Sequence, residues 1–348
     1  MKRRWQLWLG LAISVVFLTI ALRNLQLPKV WQALQAARYW WIVPGVVVYF
    51  FGVWGRTWRW HYLLRPLRRV PLRRLFPVVT IGYMGNNVYP ARAGEVIRAY
   101  VLKRKEGVSI SASLATIIVE RMFDGLVMLL FVFIGLPFTP MPNWLQQMVI
   151  LASALFFGAL LVFFLFAIRP HWAQALYEPL ANRLLPKRWR EPAGGLFERF
   201  VEGLSSLRSG RDVLMIFVTS LVIWLAETVK YWFVMHAFTE PGNGFPVPFY
   251  VLMLMNGVVN LATTIPSSPG YVGTFDLPGI EILAIFGVLR DVAVAYTLVL
   301  HAALWFPITA LGAWYMWRER VSWREFAEVE QVREVRAGEP TVPRVSSM

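Results

Sequence analysis

Six apolar stretches, each long enough to cross a lipid bilayer, constrain this chain more than any other feature. A membrane-spanning helix needs about 20 predominantly apolar residues. The candidate spans are Trp5–Leu22, Trp40–Leu64, Ser111–Leu136, Leu145–Ile168, Val213–Phe238 and Val292–Trp317. Hydrophobic residues make up 57% of the chain, whereas soluble domains contain about 45–50%. The sequence therefore predicts an all-α, polytopic bundle of about six spanning helices.

Two further apolar regions, Leu75–Pro90 and Phe249–Val288, are interrupted by proline, glycine and asparagine. Such interruptions make a simple spanning helix unfavourable, so each region is predicted to be a re-entrant helical hairpin. A Pro-x-x-x-Gly pattern begins at Pro90 in the first region and at Pro266 in the second, about half the chain apart. We therefore expect an inverted repeat, the arrangement with which many transporters build a midplane site.

Basic residues are distributed unevenly around these spans. Of 35 lysines and arginines, 27 fall in segments on one side, four on the other and four within spans. Because cytoplasmic loops are rich in lysine and arginine, both termini are predicted to lie in the cytoplasm, with the protein in the plasma membrane. The first hairpin then enters from the cytoplasm and the second from outside. Topology accounts for the net charge of +15, so no nucleic-acid partner is predicted.

The predicted organisation is a single membrane domain followed by a polar tail that is expected to be disordered. The domain covers residues 1–317 and contains half-repeats 40–168 and 213–317, joined by an interfacial cytoplasmic linker, 169–212. The tail covers residues 318–348. Two amphipathic segments, one with Leu27, Val30, Trp31 and Leu34 on one face and one at residues 197–207, fit helices lying in the membrane interface or packed on another loop.

The polar stretch "GNNVYPARAGEVIRAY", Gly85–Tyr100, carries the first candidate site. Irregular backbone at membrane depth must line a cavity or be covered by protein. The stretch is therefore either a solvated basic loop or a turn that starts a half-helix at Glu95. The half-helix would direct free N–H groups at an anion, and Arg92 and Arg98 could bind phosphate. The second hairpin would add Ser267, Ser268 and the Gly270 backbone.

Charged residues also lie inside the apolar helices, where each costs about 2.5–3.5 kcal/mol and therefore tends to face a bundle interior or water. They are Glu120, Arg121 and Asp124 in one span and Glu227 and Lys230 in another. The first group is interpreted either as a structural ion pair near the cytoplasmic end of its helix, or as a pair of carboxylates that holds Arg92 or Arg98 in place or meets a cationic headgroup. The second pair is expected to satisfy itself, with proton coupling as the alternative.

Three other polar residues in spans are expected to play structural roles. Arg56 and Arg59 lie on one face near a helix end and are interpreted as anchors that extend to the membrane surface. His301, isolated in an apolar span, is interpreted as packed and hydrogen-bonded rather than as a proton carrier.

Three motifs, "NNVYPARAGEVIRAY", "LATIIVERMFDGL" and "TTIPSSPGYVGTFD", resemble in order the membrane region of the lysylphosphatidylglycerol synthases, also called flippase-like membrane proteins. The resemblance covers roughly Trp5 to Trp317. It implies movement of lipids between leaflets, such as aminoacylated phosphatidylglycerol or polyprenyl-linked sugars. The matching positions are Arg92, Gly94, Glu95, Arg98, Glu120, Arg121, Asp124, Pro269, Gly270 and Gly273.

The chain departs from that family pattern in two ways. Asp276 stands where many members have glutamate. Only about 30 residues follow the last span, so the soluble aminoacyl-transfer domain of the full synthases, and its activity, are expected to be absent.

The leading hypothesis is a lipid transporter that binds an anionic headgroup in a basic cavity, with a lipid-modifying enzyme as a candidate partner. The sequence contains no nucleotide-binding P-loop, no cysteine and no metal or hydrolase motif, so no catalytic residue, metal or cofactor is predicted. The alternatives are a glycosyl- or acyltransferase acting on a lipid carrier, with Glu95, Glu120 or Asp124 as base, and a basic membrane scaffold. The sequence makes no prediction of oligomeric state.

Overall fold

The computed structural model describes residues 12–17, 19–21, 25–89, 92–140, 143–168, 210–265 and 268–321. Within these ranges all regular structure is helical and there is no strand, as predicted. The main helices are α1 Leu27–Ala36, α2 Ile42–Leu64, α3 Leu72–Val88, α4 Ala93–Glu106, α5 Ile110–Gly135, α6 Asn143–Ile168, α7 Gly210–His236, α8 Phe249–Ala262, α9 Asp276–Ile285 and α10 Arg290–Arg318. A short apolar helix, Ala12–Ala21, precedes them.

Two of the described helices, α7 and α10, are long and apolar enough to cross a membrane by length and composition. A third candidate is the pair Leu27–Ala36 and Tyr39–Leu64, which is bent by 71°. Helices α5 and α6 are each 26 residues long, and α5 contains three charged residues near its middle. The observed bounds of these helices agree with the predicted spans to within a few residues.

The first hairpin consists of α3 and α4, which follow each other in the chain and pack together. Contrary to prediction, α3 is not broken: it runs from Leu72 to Val88 through Pro77. The second arm begins at Ala93, two residues before the expected start at Glu95. The two arms touch at Gly94, where an added Cβ would lie 1.9 Å from the Gly82 carbonyl oxygen. Glycine is therefore required for the arms to approach this closely.

The second hairpin consists of α8 and α9, with an irregular turn between them. This turn contains the short 3₁₀ segment Pro269–Tyr271, in which Gly270 has a φ of 73°. Leu277 N donates to the Gly273 carbonyl, which joins the turn to the start of α9. The interruption predicted for Phe249–Val288 is therefore present as two short helices, with the 3₁₀ segment between them.

Each hairpin packs against the long helix that follows the other hairpin in the sequence. Helix α3 packs along α10, which follows the second hairpin, and α8 packs along α5, which follows the first. Helices α2 and α7, which precede the hairpins, pack against each other. Buried apolar residues form one large cluster around the first hairpin and another around the second. This arrangement brings the two hairpins together, with α3 of the first in contact with Pro269–Tyr271 of the second.

Several predictions concern residues outside the described ranges. They include most of the linker 169–212, the amphipathic segment 197–207, the tail 318–348 beyond Val321, and half of the first span Trp5–Leu22. The other amphipathic segment does form a helix, α1, with Val30 buried and Leu27 and Trp31 exposed.

Candidate functional site: a polar cavity between two hairpins

A cavity of about 150 Å³ lies where the two hairpins meet. The first hairpin contributes Tyr83, Asn86, Asn87, Arg92 and Glu95, and the second contributes Asn260, Thr263, Gly270 and Tyr271. Helices α2, α5, α7 and α10 complete the wall with Arg56, Arg121, Glu227, Lys230, His301 and Trp305, among others. A polar cavity inside an apolar bundle costs free energy to maintain, which makes it a candidate binding site.

Arg92 is the cation in this cavity with the fewest protein partners. It occupies the N-cap position of α4 in the left-handed region, with φ 53° and ψ 37°. Its Nη2 donates to Thr263 Oγ1 at 3.3 Å, and its guanidinium lies 6.0 Å from the Tyr271 ring centre. Among the described residues it forms no salt bridge with a carboxylate, and its Nε is buried without a hydrogen-bond partner. Arg92 therefore keeps both charge and donors for a ligand.

Other lining residues also have unused polar atoms. Tyr83 Oη, Asn86 Oδ1 and Arg121 Nε are buried and form no hydrogen bond within the protein. A buried polar atom without a partner costs about 1–3 kcal/mol. Because these atoms belong to residues lining one cavity, a polar ligand or water in that cavity would satisfy them together.

Glu95 and Arg121 connect the cavity to a buried charge network on α5. Arg121 Nε lies 3.7 Å from Glu95 Oε1, and its Nη2 lies 3.3 Å from Asp124 Oδ2. Asp124 in turn accepts from Arg59 Nη1 at 2.7 Å and from Trp224 Nε1 at 2.9 Å. Asp124 is therefore occupied by protein partners.

Arg98 lies outside the cavity, although it was predicted to bind the same headgroup as Arg92. Its guanidinium donates to Glu120 and lies 3.7 Å from the centre of the Trp60 ring. Glu120 is also 3.5 Å from Arg59 Nε. Glu120 is therefore the carboxylate that holds an arginine of the first hairpin, and that arginine is Arg98. The contacts make Arg98 part of the packing between α4, α5 and α2.

Arg56 and Arg59 are buried in the bundle, so their interpretation as surface anchors was wrong. Arg59 is fully buried, and Arg56 Nη1 donates to Glu227 Oε1 at 2.6 Å. Glu227 also accepts a hydrogen bond from Lys230, as predicted. Two cations sharing one carboxylate leave this cluster with a net positive charge on the cavity wall.

The second hairpin contributes to the candidate site and its surroundings through backbone groups more than through its serine side chains. The Gly270 carbonyl accepts from His301 Nε2 at 2.7 Å, and Gly273 N donates to Asp276 Oδ2 at 2.8 Å. Ser268 N donates to Ser14 Oγ at 3.0 Å, while Ser268 is not among the residues lining the cavity. Ser267 lies outside the described residues.

Sequence reasoning missed the polar uncharged part of the site. Asn260 and Thr263 at the end of α8 line the cavity, as do Asn87 and Trp305. Asn87 Nδ2 donates to Thr309 Oγ1 at 2.8 Å, which fixes the end of α3 on α10. Asparagines at the ends of two interrupted apolar runs were the signal that could have identified this lining. In the part of the chain that the structure describes, no group of three histidine or acidic side chains is arranged to hold a metal.

Two of the relatives to which the chain is similar are named as membrane proteins. It is 28% identical over 296 residues to a UPF0104 membrane protein of Methanothermobacter thermautotrophicus, covering 79% of this chain and 82% of the relative. It is 25% identical over 228 residues to the UPF0104 membrane protein MJ1078 of Methanocaldococcus jannaschii, covering 66% of this chain and 91% of the relative.

Another relative has an enzyme name. Glycosyltransferase AglD of Haloferax volcanii is 25% identical over 338 residues, covering 89% of this chain. The chain spans only about half of that protein, 54% of its length.

The model of the family described as Lysylphosphatidylglycerol synthase TM region matches residues 7–312. Since this match includes most of the chain and both hairpins, the chain belongs to the family of the lysylphosphatidylglycerol synthase transmembrane region.

Proposed function

We propose that this membrane protein moves an anionic lipid, a phospholipid or a polyprenyl-phosphate-linked lipid, between leaflets. The observation that supports this most directly is Arg92, a cavity-lining cation with an unused donor and no acidic partner among the described residues. An arginine of this kind suits a phosphate group, which it can bind through two parallel hydrogen bonds. The headgroup would occupy the cavity while the acyl chains remain in lipid.

The charge around the cavity supports an anionic ligand. Among the described residues, its wall contains the cations Arg56, Arg92, Arg121 and Lys230 and two carboxylates, Glu95 and Glu227. In a low-dielectric interior such an excess attracts an anion strongly. The predicted headgroup set is therefore revised: Arg92, Glu95 and Gly270 line the cavity, Arg98 and Gly94 support the first hairpin, and Gly273 supports the second.

The proposed topology is six spans and two re-entrant hairpins in an inverted repeat, in the plasma membrane with both termini in the cytoplasm. Each proposed half contains a helix, a hairpin and a second helix, as α2 to α5 and as α7 to α10. The exchanged packing of α3 on α10 and of α8 on α5 supports the repeat. Transporters with such repeats place the substrate where the halves meet, which is where this cavity lies.

Reconstitution tests the transport proposal. The protein would be placed in vesicles containing fluorescent phosphatidylglycerol or a fluorescent polyprenyl phosphate, and leaflet exchange would be followed by quenching from outside. We expect exchange by the unmodified protein and at least a tenfold slower rate for Arg92→Ala. The matched control is Arg69→Ala, an exposed arginine away from the cavity. Absence of exchange for both lipids, or equal rates for both variants, would contradict the proposal.

A lipid-carrier transferase is the second candidate, because one relative is named a glycosyltransferase. Of the three carboxylates considered as base, only Glu95 lines the cavity, while Glu120 and Asp124 are buried against arginines. Product formation that is lost in Glu95→Gln, with lipid binding retained, would favour this function over transport.

A further inference from the structure

Both ring nitrogens of His301 face hydrogen-bond acceptors. Nε2 lies 2.7 Å from the Gly270 carbonyl oxygen, and Nδ1 lies 2.8 Å from Asp276 Oδ1. The other carboxylate oxygen of Asp276 accepts from Gly273 N at 2.8 Å. His301 belongs to α10, whereas its three partners belong to the turn of the second hairpin and the start of α9. One side chain thus joins the hairpin turn to the neighbouring long helix.

These contacts can be satisfied together only if an additional proton is present. A neutral imidazole has one donor nitrogen and one acceptor nitrogen. A carbonyl oxygen and an ionised carboxylate can only accept. A neutral His301 beside an ionised Asp276 would therefore place two acceptors against each other in one of the two contacts. One proton, shared by the ring and the carboxyl group, allows both hydrogen bonds to form.

We propose that His301 and Asp276 form a proton-binding site that controls the closure of the second hairpin against α10. With the proton bound, His301 bridges the Gly270 carbonyl and Asp276, and the hairpin turn is held in place. When the proton leaves, one bridge is lost and a buried acceptor is left without its donor. The turn then gains freedom to move away from α10.

The position of the ring lets this proton exchange with the cavity. His301 and Gly270 both line the cavity, and the His301 side chain is 15% exposed. The first hairpin is held on α10 by groups that do not titrate in the same range: Asn87 Nδ2 donates to Thr309 Oγ1 at 2.8 Å. Proton loss is therefore expected to release the second hairpin and leave the first attached.

Other titratable groups share the cavity with this pair. From the hairpins these are Tyr83, Arg92, Glu95 and Tyr271. From α2, α5 and α7 they are Tyr49, Arg56, Arg121, Glu227, Lys230 and Tyr231. Glu95 is near Arg121, and Glu227 contacts Arg56 and Lys230. His301 is the only histidine among the described lining residues, and it contacts Asp276, which is not part of the lining.

The link to transport rests on the proposed function. The pair is neutral with its proton and negative without it, so proton loss leaves a negative charge on Asp276, directly behind His301 in the wall of a cavity proposed to bind an anion. Proton binding and anion binding should then strengthen each other, because linkage between two sites is reciprocal. A proton would accompany the headgroup, which gives a chain without a nucleotide-binding motif an energy source.

The proton site can be tested without a lipid substrate. The chain contains no cysteine, so spin labels can be attached at Val272→Cys in the hairpin turn and Phe306→Cys on α10, which are 39% and 64% exposed. The distance between the labels would be measured by pulsed electron paramagnetic resonance in phosphatidylcholine nanodiscs. We expect a second distance population that grows as the pH is raised through and above the range in which histidines usually titrate, about pH 5 to 8.

Two variants make the test specific. In Asp276→Asn the amide can donate to His301 Nδ1 and accept from Gly273 N. A neutral His301 ring can then keep its hydrogen bonds both to residue 276 and to the Gly270 carbonyl, so we expect a single distance at every pH. In His301→Gln we expect no response to pH. An unchanging distance in the unmodified background would overturn the proposal. A pH response like that of the unmodified background in Asp276→Asn would also overturn it. If Asp276→Asn does not fold, the same response in His301→Gln would overturn it.

The outcome is separable from that of the transport assay. A pH-dependent distance with no leaflet exchange would refute the proposed transport and leave the proton site standing. Exchange that depends on Arg92 but is unaffected by Asp276→Asn or by a pH gradient would refute the coupling.

Discussion

The carboxylate of Asp124 accepts a hydrogen bond from Arg59 across an Nη1–Oδ1 distance of 2.7 Å, deep in the bundle. Arg59 is fully buried and also donates to Ser220 Oγ at 2.5 Å. The two charged residues are on α2 and α5, and Trp224 of α7 donates to the same carboxylate oxygen. One carboxylate therefore holds together three of the long helices that surround the cavity.

Asp124→Asn is expected to destabilise the protein strongly. The substitution leaves the Arg59 guanidinium buried without its nearest countercharge, and breaking a buried pair in this way costs about 3–5 kcal/mol. The measurement is the thermal unfolding temperature of the purified protein in detergent, together with the yield of folded protein. Glu240→Gln is the control, because Glu240 is an exposed acid in the loop before α8. Similar melting of the two variants would show that Asp124 is not a structural centre.

Gly94→Ala is expected to prevent the first hairpin from closing. A Cβ at this position would lie 1.9 Å from Gly82 O and 2.6 Å from Asn86 N, and both of these are backbone atoms. Such an overlap can be relieved only by separating α3 from α4. We expect loss of folded protein or a large drop in unfolding temperature.

Gly158→Ala provides the control for that substitution. Gly158 lies inside helix α6 and an added Cβ there meets nothing within 4 Å. Because alanine favours a helix over glycine by about 1 kcal/mol, this variant should be as stable as the parent or slightly more stable. Normal folding of Gly94→Ala would show that the arms do not approach as closely as described.

Sequence reasoning located the helices well where hydrophobic length decides the answer, and poorly where tertiary contact decides it. The long apolar runs became α2, α5, α6, α7 and α10 with bounds close to those predicted. Pro77 and the glycines of α3 were interpreted as breaks, but the helix continues through them. Gly82 and Gly85 instead provide space for the returning arm at Gly94. A local pattern does not distinguish a glycine that ends a helix from one that admits a neighbour.

In the candidate site, too, local patterns were informative and contacts between distant parts of the chain were missed. The interrupted runs directed attention to Arg92, Glu95 and Gly270, which line one cavity. The burial of Arg56 was missed, because its partner Glu227 lies 171 residues away in the sequence. Pairing across that separation is invisible to local spacing rules, which describe neighbours three or four residues apart.

Glu95→Gln tests whether the cavity binds an anionic headgroup. Glu95 lines the cavity and lies 3.7 Å from Arg121, so removing its charge makes the cavity more positive. For a transporter of anionic lipid, we expect headgroup binding about fivefold tighter, which corresponds to about 1 kcal/mol. Binding of fluorescent phosphatidylglycerol in nanodiscs measures this, with zwitterionic phosphatidylcholine as the control lipid. Weaker binding of the anionic lipid would instead indicate that Glu95 contacts the headgroup directly.

The proposed inverted repeat requires the two hairpins to enter the membrane from opposite sides. The loop before α3 contains Arg69 and the loop before α8 contains Glu240, and both residues are exposed. Because the chain has no cysteine, Arg69→Cys and Glu240→Cys each give one labelling site. A membrane-impermeant maleimide should label Glu240→Cys in intact cells and Arg69→Cys only after permeabilisation. The cysteine-free parent measures background labelling. The reverse pattern would invert the orientation and keep the repeat, whereas labelling of both sites from the same side would exclude it, because the two hairpins would then enter together.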